Sequence, residues 1–126
     1  MNVTKTTIPH SAQRYSTSGD WQIDEKGNIS ITVSDLHDWK REWLVGQHEE
    51  IETVLCTIAG ITQAMVDAYD MAWKEHDGIE EPGDDPDCPY YQQHQIALAY
   101  EHSLAVDVGV NFKQHDRALL EGDEPK

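Results

Sequence analysis

Residues 20–60 read DWQIDEKGNISITVSDLHDWKREWLVGQHEEIETVLCTIAG, and their hydrophobic period changes part-way through. Ile29, Ile31 and Val33 alternate with polar residues, the pattern of a strand with one buried face. Asp24-Glu25-Lys26-Gly27-Asn28 before them is turn chemistry, and Trp21-Gln22-Ile23 supplies an opposing strand. A β-hairpin is expected there. Ser34 or Asp35 can then cap a helix, and apolar residues recur at helical spacing from about Asp38 to Ala59, with Gly60 as the stop.

Downstream, Thr62 can cap a second helix from Gln63 to about Glu75. HDGIEEPGDDPDCP, residues 76–89, carries two Gly and three Pro and cannot be helical throughout. A third helix is expected from Pro89 or Tyr90 to about Val106, and a short fourth from Phe112 to Leu120. Residues 1–14 lack periodicity and read as a flexible arm, 15–120 as a single domain, and 121–126 as a flexible acidic tail. The expected fold class is α+β, mostly helical, with an N-terminal β-hairpin followed by three or four helices. Trp39, Trp43, Tyr69 and Trp73 are expected in core or interhelix contacts.

The 126 residues, 38% of them hydrophobic, suit one folded domain with a modest core. A formal charge of −15 repels nucleic-acid phosphates and anionic membranes, so direct nucleic-acid binding is not expected. No apolar run approaches the roughly 18–20 residues of a membrane span. The first residues lack the apolar segment of a secretory signal, so a cytoplasmic location is expected. Cys56 and Cys88 form no CxxC pair.

Placed on a helix at roughly 100° per residue, His48 falls within the apolar stripe of Leu44, Ile51 and Leu55. Glu52, four residues on, shares that face. Glu49 lies at its border and Glu50 points to solvent. On the third helix His94 clusters with Tyr90, Ala97, Leu98 and Ala105, and Glu101 falls on the same seam. Buried carboxylates and imidazoles are normally paired or bind metal. His48, Glu52 and His94 are therefore the expected ligands of a divalent ion, zinc first, with iron, manganese or nickel also suited. Glu101 lies about 10 Å along the axis from His94 and is expected to orient another ligand. Asp84 and Asp85 are reserve ligands or charge-tuning groups. The competing reading is a buried, hydrogen-bonded His–Glu pair without metal. The remaining histidines, 10, 37, 76, 102 and 115, are expected on polar faces or in the arm.

His48-Glu49-Glu50-Ile51-Glu52 resembles the HExxH helix of zincin-type metallopeptidases, with Glu52 in place of the second histidine. The resemblance implies His48 and Glu52 as ligands and Glu49 as general base. A longer resemblance runs through YSTSGDW (15–21), VSDLHDWKREWLV (33–45), HEEIE, EPGDDPDCPY (81–90) and His94. These segments are similar to a family of small, uncharacterised phage and prophage proteins. That likeness implies a viral accessory protein in the host cytoplasm, acting on a host protein or a small substrate. A third resemblance is to MazG-like NTP pyrophosphatases, whose ExxE and ExxD pairs hold Mg²⁺. Glu49/Glu52 and Glu81/Asp84 match those letters and Asp67/Asp70 is another candidate second half, but Pro82 and Gly83 interrupt the Glu81–Asp84 pair where that family needs helix. A non-enzymatic alternative is an acidic inhibitor that presents carboxylates to a basic host surface.

Overall fold

A computed structural model describes residues 1–121. The chain is α+β, with a three-stranded sheet followed by four helices. The strands are β1 (Val3–Ile8), β2 (Gly19–Ile23) and β3 (Ile29–Ser34), in the order β1-β3-β2. The expected hairpin is present: β2 runs antiparallel to β3, with Trp21 opposite Ile31. Asp24 shapes the turn by accepting from the backbone N–H groups of Lys26 and Asn28.

The expected flexible arm is instead an ordered edge of the sheet. β1 pairs parallel with β3, Val3 opposite Ile29. Five of its six residues, VTKTTI, are β-branched, a composition that favours extended chain even without an apolar alternation. The segment after it is tied down by Arg14, which grips Asp20 at 2.7 and 2.9 Å and Asp67 at 3.1 Å through both terminal nitrogens. In the expected acidic tail, Glu121 is the last residue of the fourth helix, and 122–126 lie outside the described residues.

The helices are α1 (Trp39–Ile58), α2 (Gln63–Ala72), α3 (Tyr91–Asp107) and α4 (Phe112–Glu121). Asp38, rather than Ser34 or Asp35, caps α1 by accepting from the N–H groups of Lys40 and Arg41. Glu42 reaches back to the N–H of Leu36 at 2.9 Å and fixes the entry from β3. Thr62 caps α2 as expected, but α2 stops at Ala72, short of Glu75. The core lies between the sheet and α1, where Trp21, Ile29, Ile31 and Val33 meet Val45 and Cys56. α1 packs against β3, β2 and α3, and the His-bearing faces of the two long helices meet. Trp39 and Trp43 depart from expectation: they sit near the solvent end of α1, 71% and 38% exposed. Tyr69 packs on the core edge, and Trp73 donates to Asp85.

Candidate metal centre

His48 and Glu52 project from α1 at i, i+4 spacing, and His94 projects from the first turn of α3 opposite them. All three are buried. His48 Nε2 lies 3.1 Å from Glu52 Oε2, His94 Nδ1 lies 3.0 Å from the same oxygen, and the two nitrogens are 3.2 Å apart. Donor atoms at about 2.0–2.1 Å from one ion and 90–109° apart would be separated by roughly 2.9–3.3 Å. The triangle has those edges, so the three residues could hold a metal ion.

The atoms behind this triangle select its donors. Trp21 Nε1 donates to Glu52 Oε1 at 3.1 Å, which occupies one carboxylate oxygen and leaves Oε2 facing the histidines. Glu101 Oε1 lies 2.7 Å from His48 Nδ1, and Asp84 Oδ1 lies 3.3 Å from His94 Nε2. Neither carboxylate is aligned on its N–H for a full hydrogen bond, so these are close charge contacts. Each histidine thus has a carboxylate beside its outer nitrogen, which favours the tautomer whose inner nitrogen is the donor. Glu101 is held in turn by buried His115, whose Nε2 lies 2.5 Å from Glu101 Oε2. Weakening this outer layer has a measurable consequence. Glu101→Gln is expected to lower zinc affinity about 10–100-fold, read by competition with a chelating dye, while the fold persists.

Protonation follows the same geometry. Burial opposes charge on His48, but its contacts with Glu101 and Glu52 outweigh that and raise its pKa well above the ordinary value. His94 is likewise disfavoured by burial yet raised to about 10 by Asp84 and Glu52. Burial alone would raise Glu101, but His115 and His48 bring it down to about 2. Without an ion, the contacts with Glu101, Glu52 and Asp84 favour the charged form of each imidazole, although His48 opposes charge on His94. The stability from the His94 pairs is fully present below pH 6.5 and lost as pH rises through about 10.

Glu49 points into the same space. It is 9% exposed and its carboxylate approaches His48 Nε2 at 3.9 Å. Burial, then the charge of Glu52, raises its pKa well above the usual carboxylate range. Gly19 makes room for it, since a Cβ there would lie 2.8 Å from Glu49 Cγ.

The acidic loop contributes unequally. Pro82–Asp84 form a single 3₁₀ turn that lays Gly83 on the His94 ring. A Cβ on Gly83 would fall 2.4 Å from His94 Cγ. Gly83→Ala is therefore expected to displace the ring, destabilise the chain by about 1–3 kcal/mol and weaken metal binding, measurable by urea unfolding and zinc titration. Asp85 does not face the triangle. It accepts from the N–H of Asp87 at 3.0 Å, Trp73 Nε1 at 3.1 Å and His76 Nε2 at 2.9 Å, and organises the loop. Those donors hold its carboxyl below the usual range, the Asp87 N–H first.

Two contributors were invisible to sequence reading. His115, expected on a polar surface, is fully buried against Glu101. Trp21 was legible as part of the opposing strand but not as the donor to Glu52. No protein-family model, curated protein or solved structure matches the chain.

Proposed function

We propose that this protein is a metal-dependent hydrolase whose ion is held by His48, Glu52 and His94. The observation that carries the reading is the buried triangle of two imidazole nitrogens and one carboxylate oxygen, with a further carboxylate behind each imidazole. Two neutral imidazoles and one carboxylate suit zinc and leave positions for water and substrate. When bound, such an ion acidifies a water and polarises a carbonyl.

The chain's own residues do the rest. The Glu49 carboxylate accepts no hydrogen bond among the described residues, and it is placed to take a proton from water in the cleft. Its raised pKa moves it toward the range where a general base works at neutral pH. Trp21 keeps Glu52 in a one-oxygen presentation, and Glu101 and Asp84 keep the imidazoles oriented. The zincin-like spacing of His48, Glu49 and Glu52 supports this assignment, and the likeness to phage and prophage proteins supports a viral accessory role in the host cytoplasm.

The pyrophosphatase reading fares less well. Pro82–Asp84 is a 3₁₀ turn, and no Lys or Arg lines the cleft among the described residues, so nothing there receives a phosphate chain. The inhibitor reading draws on the net charge of −15 and does not require the buried centre.

Zinc binding to imidazolium–carboxylate pairs must displace protons. Affinity is expected to weaken by about one to two decades per unit of pH drop between pH 8 and pH 6. Calorimetry in buffers of different ionisation enthalpy checks it, and hydrolysis of amide and ester probes by the zinc-loaded protein, abolished by a chelator, tests the function itself.

A further inference from the structure

The cleft over the centre has a volume of about 680 Å³, and its charge is one-sided. Ten of its described lining residues are Asp or Glu, and none is Lys or Arg. Most of these carboxylates already have partners. Asp20 is held by Arg14, Asp116 by His102, and Asp70 by the hydroxyls of Tyr15 and Tyr90. Glu52 and Glu101 face the histidines, Asp84 faces His94 and Gln95, and Glu80 lies 3.7 Å from Arg117.

Glu81 is different. Its side chain makes no hydrogen bond or ion pair among the described residues, and it is half-buried in the cleft wall, whereas Glu75, likewise without such a partner, is exposed. One of its oxygens lies within 4.8 Å of an Asp84 oxygen and a His94 nitrogen, so it stands beside His94. The Glu49 carboxylate, on a residue only 9% exposed, also accepts no hydrogen bond in this cleft. A desolvated carboxylate without a cation is costly, and a low-dielectric cleft of one sign concentrates ligands of the other.

We propose that the cleft selects substrates carrying a free ammonium group next to the scissile carbonyl, anchored by Glu81 with Asp84 beside it. The scissile carbonyl rests on the hydrolase reading; the preference for an ammonium does not. An ammonium offers three donors to this carboxylate pair, and Glu81 lies on the same cleft wall as the ligand His94. An acylated amine loses the charge, and an anionic substituent meets only carboxylates.

The test uses the protein loaded with one equivalent of zinc and three probes: L-alanine 4-nitroanilide, its N-acetyl form and its N-succinyl form. The free amine is expected to be cleaved with a kcat/KM about tenfold or more above the acetyl form, and the succinyl form least. In Glu81→Gln the free-to-acetyl ratio is expected to collapse toward unity. Equal or faster cleavage of the acylated probes by wild type overturns the proposal, and needs no variant to fold. If no probe is cleaved, calorimetry with L-alaninamide and N-acetyl-L-alaninamide separates the two ideas. Binding of the free amine alone, weakened in Glu81→Gln, upholds the anchor while the hydrolase reading fails. Equal binding of both overturns it. A second zinc equivalent bound by wild type and lost in Glu81→Gln also overturns it, because Glu81 would then serve a metal.

Discussion

His48→Ala, purified without added metal, is expected to carry less than about a tenth of an ion per chain where wild type carries one. The loss is large because the substitution removes a donor and its alignment together. Glu52 Oε2 loses one of its two imidazole neighbours, and Glu101 keeps only His115. Leaving buried carboxylates short of a cation costs about 3–5 kcal/mol, so the urea midpoint of the metal-free variant should fall as well. Circular dichroism identifies the folded fraction on which metal content is counted. A folded variant that retains wild-type metal would remove His48 from the centre.

Glu49→Gln is expected to do the opposite: keep the ion and lose the reaction. The amide is nearly isosteric, and neither the triangle nor its supporting carboxylates depend on Glu49 for a hydrogen bond. Its base is gone, so kcat should drop about 10²–10⁴-fold with zinc content unchanged. Burial favours neutral Glu49, so replacing it with a neutral amide is expected to leave stability the same or slightly higher near neutral pH. Wild-type turnover by the amide variant would sink the assignment of Glu49 and leave the metal ligands untouched.

The contrast between these two residues shows what the sequence could reveal. Helical periodicity placed His48 and Glu52 on one buried face and Glu101 on the seam with His94, because burial of an amphipathic helix is a local property of spacing. Periodicity gave Glu49 only a border position. Gly19 of β2 packs against its side chain, a neighbour that helical spacing does not reveal. His115 was hidden for the same reason. It sits between Gln114 and Asp116 on a polar helix, and only the docking of α4 beside α3 encloses it. β1 was missed because its partner lies 26 residues away and its own faces are mostly exposed. The β-branched run was the available signal. Asp84 and Asp85 look equivalent in the loop sequence, yet the 3₁₀ turn sends one toward His94 and the other back to Trp73 and His76.

The most direct test is zinc K-edge X-ray absorption on the protein loaded with one equivalent. The structure predicts a first shell of two imidazole nitrogens and light oxygen donors at about 2.0–2.2 Å, with outer-shell scattering from both rings. A shell of oxygens without imidazole scattering, or a sulfur at about 2.3 Å from Cys56 or Cys88, would contradict the claim that α1 and α3 meet around an ion.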